Sequence, residues 1–290
     1  MERRVTYYSQ GVKISAVLYL PDGAGAANRP GIVLCHGFTG IKELILPDYA
    51  RRFAAAGYVV LAFDYRGFGE SEGERGRLIP YEQVMDIRNS ITFMETLDEV
   101  DPERIGLWGT SYGAANVIYT GGIDPRPRCV VAQVGFGNAG RELANRPPAE
   151  VAPVMEMIRN ERRQRVLTGK STMIDPFLIL SDPDSVAFFN EAVKELPQLK
   201  TQITLETAEA TLEYRPEEVA HKIAPRALLL ISAEHDVVTP PDQFRSVYAK
   251  AGEPKKLVVI EGIRHYEIYR PGPAMDRSVA EALEWYERYL

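Results

Sequence analysis

The chain has 290 residues, 45% of them hydrophobic and 26% charged, so it is long enough to bury one substantial core and to carry an insertion. The formal net charge is −6 and no run of Lys and Arg is dense enough to follow a phosphate backbone, which argues against nucleic acid as a partner. The two cysteines, Cys35 and Cys129, each lie in an apolar stretch, which predicts buried, inert thiols rather than a disulfide framework.

The N-terminal residues and the length of the apolar runs bear on where the protein is located. Met1 leads into a charged, alternating stretch, and no apolar run has the length of a signal peptide or of a membrane-spanning helix. We therefore expect a cytoplasmic protein with no membrane partner. No stretch identifies a subunit interface, so a homo-oligomer stays open.

Short apolar runs that alternate with helical patterns describe most of the chain. Residues 3–9 and 12–20 are predicted as two strands joined at Gln10 and Gly11, and 21–30 as a surface loop. Six further strands are predicted at 31–35, 58–64, 104–108, 129–134, 227–232 and 256–260. Amphipathic helices are predicted around Val84–Met94 and Val279–Leu290. This order predicts an α/β fold with a mostly parallel central sheet flanked by helices.

The alternation stops between Gly137 and Lys222. There the apolar residues recur at helical spacing without intervening strands, as in Val151, Val154 and Ile158. We predict that residues 137–222 form a helical cap inserted into one core domain made of 1–136 and 223–290. Large apolar residues of the cap are attributed to packing between cap and core, with contact to substrate as the alternative; they are Met155, Met157, Phe188 and Phe189.

The strongest chemical signal is the pentapeptide Gly109-Thr110-Ser111-Tyr112-Gly113, which follows a predicted strand and precedes a helix rich in small residues. A glycine two residues to each side permits a sharp, strained turn that exposes the hydroxyl. Ser111 is therefore the predicted nucleophile. An ordinary glycine-rich turn is the alternative, because such pentapeptides also arise by chance.

A serine hydroxyl is a poor nucleophile at its normal pKa and needs a neighbouring base, most often histidine. The chain has four histidines: His36, His221, His235 and His265. Serine elbows are associated with the chain order serine, acid, histidine, and only His265, in a loop between the last strand and the last helix, fits that order. We predict that His265 is the base and that His36 shapes its loop.

The acid is predicted at Asp236, which directly follows the strand at 227–232. Its carboxylate would fix the tautomer of the imidazole and stabilise the imidazolium. Glu234 stays open as an alternative acid. Asp242 follows two prolines and opens an amphipathic stretch, so we interpret it as a helix N-cap.

Backbone amides beside the nucleophile are the predicted oxyanion donors. The loop His36-Gly37-Phe38-Thr39-Gly40 follows a strand and is the natural source of one donor, the N–H of Phe38. The residue after the nucleophile supplies the other, the N–H of Tyr112. The aromatic side chains of these two residues would suit an apolar or aromatic acyl group.

Together these motifs resemble the α/β-hydrolase superfamily, over the whole chain except the cap. The resemblance implies that Asp64–Ser71 form a structural turn near the active site. Within the superfamily, His36–Gly40 resembles cinnamoyl and feruloyl esterases, and the layout is similar to dienelactone-hydrolase-like and Xaa-Pro-peptidase-like enzymes. Dienelactone hydrolases use cysteine where this chain has Ser111, and haloalkane dehalogenases need a carboxylate there.

We therefore expect a serine hydrolase that cleaves a carboxylic ester or lactone of a small to medium organic acid through an acyl-enzyme on Ser111. No metal-ligand spacing or phosphate-binding loop is found, so we expect no cofactor and no metal. C–C bond hydrolysis, peptidase or amidase activity, and acyl transfer or perhydrolysis use the same residues and stay open. A non-catalytic ligand receptor on the same fold is the alternative from another class.

Overall fold

The first two strands form a hairpin, as the alternation of apolar and polar residues predicts. Strand β1 (Glu2–Ser9) pairs antiparallel with β2 (Val12–Tyr19) across a turn in which Gln10 and Gly11 have positive φ. The structure, a computed structural model, describes residues 1–22 and 28–290. The predicted loop over 21–30 therefore lies partly outside the described residues.

The remaining strands confirm the mostly parallel sheet. In chain order they are β3 (Arg29–Cys35), β4 (Val59–Phe63), β5 (Val100–Thr110), β6 (Cys129–Gln133), β7 (Met173–Ile174), β8 (Ile203–Thr204), β9 (Ala227–Ala233) and β10 (Lys255–Ile260). Six of these strands and the hairpin form one eight-stranded sheet in the order β1-β2-β4-β3-β5-β6-β9-β10. From β4 to β10 all neighbours pair parallel, and β2 pairs antiparallel with β4. The carboxyl ends of the parallel strands thus meet at one edge, where ligands bind in such sheets.

Helices cover both faces of this sheet. The helices in chain order are α1 (Leu46–Ala55), α2 (Pro80–Glu95), α3 (Tyr112–Ile123), α4 (Arg141–Ala144), α5 (Pro148–Thr168), α6 (Pro183–Glu195), α7 (Glu206–Leu212), α8 (Pro241–Lys250) and α9 (Pro273–Tyr289). Alternate strand residues face opposite layers: Val33 belongs to a buried cluster that includes residues of α2, α3 and α8, and Leu34 belongs to one that includes residues of α1 and α9. Cys35 and Cys129 are free and buried. Within the described residues, no helix is both long enough and apolar enough to cross a membrane.

Residues 137–222 contain α4 to α7, but also a small antiparallel pair formed by β7 and β8. The prediction of a segment without strands is wrong here, because strands of two residues are too short to leave an alternating pattern. The segment starts and ends at one place: the Glu217 N–H donates to the Gly137 carbonyl at 3.0 Å. The Arg141 guanidinium also bonds Glu217 and, at 2.9 Å, Ser246 of α8. That 137–222 is a separate cap stays a prediction.

Candidate active site

Ser111 lies in the sharp turn between β5 and α3, at φ 54° and ψ −121°. Few residues other than glycine adopt a positive φ, so the turn is strained, as the motif predicts. The flanking glycines are required by space. A Cβ on Gly109 would lie 2.3 Å from the Gly113 carbonyl oxygen, and a Cβ on Gly113 would lie 2.2 Å from the Cys35 carbonyl oxygen.

His265 and Asp236 meet although 29 residues separate them in the chain. The Nδ1 atom of His265 donates to Asp236 Oδ2 at 2.7 Å, and both side chains are buried. The other carboxylate oxygen accepts from the backbone N–H groups of Val238 and Thr239, at 2.8 and 2.7 Å. The Thr239 hydroxyl donates to Oδ2 at 2.9 Å. This shell fixes the carboxylate and leaves Nε2 of His265 as the acceptor nitrogen.

The two rival acids have other partners. Glu234 is exposed, and its carboxylate accepts from the Gly262 N–H at 2.8 Å. Asp242 is the second residue of α8, whose N-cap is Pro240, and it accepts from Arg245 at 2.7 Å. The N-cap prediction for Asp242 is wrong, because the N-cap is Pro240, two residues earlier. The Asp242 carboxylate lies instead in the first turn of the helix, where negative charge is favourable.

His36 is held on both ring nitrogens by backbone groups. Its Nδ1–H donates to the Gly37 carbonyl at 2.9 Å, and its Nε2 accepts from the Tyr65 N–H at 3.5 Å. Burial lowers the pKa of His36 to about 4, so the ring is neutral at pH 7. These contacts agree with a role in shaping the loop rather than in proton transfer.

The predicted oxyanion donors flank the serine. Within residues 1–22 and 28–290, neither the Phe38 N–H nor the Tyr112 N–H donates to a protein acceptor. The loop of Phe38 contacts the turn: a Cβ built on Gly37 would lie 3.5 Å from Ser111 Oγ. Two free backbone donors are thus carried by the segments on either side of the nucleophile.

A buried lysine that the sequence did not single out holds this loop. Lys42 donates to Asp64 through its backbone N–H at 2.7 Å and through Nζ at 2.6 Å. Its ammonium also lies 2.8 Å from both Glu43 and Glu70, so the cation among these three carboxylates is the lysine itself. The hydrogen bond from Lys42 lowers the pKa of Glu70 to about 2. The Asp64–Ser71 turn therefore anchors the end of the predicted oxyanion loop.

Ser111 and His265 line one cavity of about 30 Å³, which is room for little more than a water molecule. A second cavity of about 260 Å³ adjoins it and shares three of its lining residues, Phe38, Leu180 and Phe189. Phe188 and Phe189 both line the smaller cavity, which agrees with the alternative of substrate contact.

The assignment to packing is wrong for two methionines, since Met155 is 40% exposed and Met157 36%. The turns of α5 that carry them instead face solvent.

The Nε2 atom of His265 has an unexpected neighbour. The hydroxyl of Tyr269 lies 3.3 Å from it and 2.9 Å from the Thr110 hydroxyl. In the part of the chain that the structure describes, no hydrogen bond joins Ser111 Oγ to His265. A tyrosine four residues after the histidine carries no motif, so sequence reasoning had no signal for it.

Comparison with known proteins assigns the chain to a protein family. A family model described as "Serine aminopeptidase, S33" matches residues 26–269. The chain belongs to this family of α/β hydrolases. This membership supports a hydrolase activity for the chain.

Three relatives span most of the chain. An uncharacterized 31.7 kDa protein from the traX-finO intergenic region of Escherichia coli is 34% identical over 99% of this chain and 100% of its own length. The quorum-quenching protein AidA of Acinetobacter baumannii is 26% identical over 99% of this chain and 94% of AidA. The polyketide transferase grgF of a Penicillium species is 26% identical over 82% of this chain and 81% of the transferase.

Solved structures confirm the fold. The crystal structure of the α/β hydrolase GrgF from Penicillium sp. sh18 superposes with a TM-score of 0.84, at 20% identity, over 100% of this chain and 99% of GrgF. Est1E from Butyrivibrio proteoclasticus, solved with ferulic acid, gives a TM-score of 0.68 at 16% identity, over 98% of this chain and 99% of Est1E. The predicted α/β-hydrolase fold and the superfamily resemblance are therefore both confirmed.

Proposed function

We propose that this protein is a serine hydrolase that cleaves a carboxylic ester or lactone of an apolar acid through an acyl-enzyme on Ser111. One observation carries the proposal: the 2.7 Å bond from His265 to Asp236 belongs to a histidine that shares a cavity with the strained Ser111. A serine, a histidine and an orienting carboxylate in this relation activate the serine for nucleophilic attack.

In the first step Ser111 Oγ attacks the carbonyl carbon of the substrate while Nε2 of His265 takes the hydroxyl proton. Asp236 keeps the proton of the imidazole on Nδ1 and stabilises the positive charge that forms. The negative charge develops on the former carbonyl oxygen, where the free N–H groups of Phe38 and Tyr112 would stabilise it. One such donor typically contributes roughly 2.7–4 kcal/mol.

In the second step the tetrahedral intermediate collapses. The bond between the carbonyl carbon and the alcohol oxygen breaks, and His265 returns its proton to the leaving alcohol. Water then attacks the ester on Ser111, with His265 again taking a proton, and the free acid leaves as the serine is restored. In a lactone the leaving alcohol and the acid belong to one molecule.

The larger cavity supports an acyl group of medium size. It measures about 260 Å³, and its lining is rich in apolar side chains, namely Phe177, Leu180, Phe189, Val193 and Leu199. A dry apolar cavity of roughly 150 Å³ accommodates benzene, so an acyl chain of about eight to ten carbons fits the available space. The acyl chain would pass Phe38, Leu180 and Phe189 on its way to Ser111.

Acyl transfer to an acceptor other than water is the second candidate. It is favoured by the relative named polyketide transferase, which aligns with 82% of this chain. The same acyl-enzyme would form, and an alcohol or another nucleophile would take the place of water. Added short alcohols should then increase turnover and yield new esters, whereas a pure hydrolase gives the free acid alone.

The proposal is tested with p-nitrophenyl esters from acetate to laurate and a set of small lactones. Ser111→Ala should lower turnover by roughly six orders of magnitude, down to the background of the assay. Ser90→Ala is the matched control, since it removes a buried hydroxyl that bonds Tyr7 and lines neither cavity. Folded wild-type protein without turnover, or a Ser111→Ala variant that keeps it, would refute the proposal.

A further inference from the structure

Tyr269 is a buried tyrosine at the edge of the proposed active site. It lies in a short 3₁₀ turn four residues after His265 and lines the same cavity as Ser111. Its hydroxyl has two neighbours, Nε2 of His265 at 3.3 Å and the Thr110 hydroxyl at 2.9 Å. The direction of these two hydrogen bonds decides what the tyrosine does.

The residues behind Thr110 set that direction. Gln133 accepts the Ser278 hydroxyl on its carbonyl oxygen, so its amide nitrogen is the donor to the Tyr49 hydroxyl at 3.0 Å and to Thr110 Oγ1 at 3.4 Å. Tyr49 in turn donates to the Ile268 carbonyl at 2.8 Å. Thr110 therefore receives a hydrogen from the core side and has its own hydrogen to give.

Only one arrangement of the remaining hydrogens satisfies every group. Thr110 donates to the Tyr269 oxygen, and Tyr269 donates to Nε2 of His265, which is the acceptor because Nδ1 carries its hydrogen toward Asp236. If Tyr269 donated to Thr110 instead, the Thr110 hydrogen would have no acceptor among the described residues. Each group in this series thus donates to the next, from Gln133 in the core through Thr110 and Tyr269 to Nε2 of His265.

We propose that Tyr269 is a positioning residue that holds the lone pair of His265 Nε2 in the resting enzyme. Ser111 then engages the base only when this hydrogen bond breaks, because a neutral imidazole nitrogen offers a single lone pair. The inference rests on the role proposed above for His265. It accounts for the hydrogen bond of Nε2 with Tyr269 and for the lack of one with Ser111 within residues 1–22 and 28–290.

Removing the tyrosine hydroxyl should therefore make the serine more reactive. A fluorophosphonate reads this directly: the Ser111 Oγ–P bond forms, the P–F bond breaks, fluoride leaves and the serine proton passes to Nε2. Tyr269→Phe is expected to raise the second-order rate of this reaction by about two- to tenfold, the range for the loss of one competing hydrogen bond. A rate equal to or below that of the wild type overturns the proposal.

Tyr266→Phe is the matched control. Its ring also contacts the imidazole, with centroids 4.8 Å apart, but its hydroxyl bonds Ser185 at 2.7 Å. The fluorophosphonate rate of this variant should stay within about twofold of the wild type. An increase equal to that of Tyr269→Phe would overturn the proposal, because it would show a general loosening of the loop.

A spectroscopic measurement keeps the test independent of any reaction. In protein labelled with ¹⁵N-histidine, the Nε2 resonance of His265 should be the same in wild type and Ser111→Ala, and should move toward that of a free acceptor in Tyr269→Phe. The opposite pattern identifies Ser111 as the resting partner and overturns the inference. If the fluorophosphonate labels none of the proteins, the proposed function fails, while the resonances still decide the role of Tyr269.

Discussion

The α/β body, meaning the sheet with its covering helices, buries most of its large apolar side chains, whereas the segment 137–222 leaves many of them exposed. Each face of the sheet has a large buried cluster, whereas the cluster within the segment has three buried members: Ile158, Leu205 and Ala208. The long helix α5 buries two of its 21 residues, and its Val166 and Leu167 are 77% and 85% exposed. The segment has little core of its own.

What holds the segment near the site is contact with the α/β body. Phe188 of α6 stacks on Tyr266, with ring centroids 4.3 Å apart, and Ser185 bonds the hydroxyl of the same tyrosine. All five residues proposed for chemistry lie in the body; they are Phe38, Ser111, Tyr112, Asp236 and His265. Under the proposed function, the body would therefore carry out the reaction, and the segment would supply walls around the substrate. The following predictions test that division.

The largest effect is expected from the acid in the body. Asp236→Asn keeps the size of the side chain but removes the charge that holds the His265 tautomer, so kcat on a p-nitrophenyl ester should fall by about 10⁴-fold. Glu234→Gln, the rival acid two residues earlier, should change kcat by less than about threefold. An equal loss in both variants would contradict the assignment of the acid.

Substituting alanine for one glycine in each region should show that the body tolerates an added methyl group less well than the segment does. Gly113→Ala places a Cβ 2.2 Å from the backbone oxygen of Cys35, so we expect a loss of about 3 kcal/mol or more in the free energy of unfolding. Gly169, at φ 72° after α5, has no atom within 4 Å of a built Cβ, so Gly169→Ala should cost about 1–2 kcal/mol for its backbone alone. Urea unfolding measures both, and similar costs would count against the division.

Acid should destabilise the body through His36. Its pKa is about 4 when folded and about 6.5 when unfolded, so the unfolded chain binds more protons between these values. The stability present above pH 6.5 is thus lost as the pH falls toward 4, by about 2 kcal/mol between pH 7 and pH 5.

The check is urea unfolding at both pH values. His36→Gln should remove this part of the pH dependence, whereas His221→Gln, at an exposed position at the end of the segment, should keep it. If both variants retain the full dependence, His36 is not its source.

The smallest effect is expected from the segment. Phe189 lines both cavities, so Phe189→Ala should widen the passage to Ser111 and raise kcat/KM for a decanoate over a butyrate ester by about tenfold. Phe177→Ala is the control, since Phe177 lines the larger cavity alone. A fall in kcat for all esters alike would mean that Phe189 supports the chemistry and not selectivity.

The sequence was informative where one local pattern carries the structure. Buried parallel strands read as short apolar runs, and the turn at Ser111 reads as two glycines at fixed spacing, so sheet and elbow were both predictable. Tyr269 meets Thr110 across 159 residues, and Lys42 meets Asp64 across 22, and no pattern in a single sequence reports such contacts. In α5 the apolar residues do recur at helical spacing, but most of them do not pack against another element.

One consequence follows from the meeting of Gly137 and Glu217 at a single backbone hydrogen bond. A segment whose two ends are neighbours can change length without displacing either strand that it connects. Closure entropy grows with the logarithm of length, so doubling such an insertion costs only about 0.6 kcal/mol. Relatives should therefore differ most in the length and sequence of this segment. Such differences would change the substrate while the body stays the same.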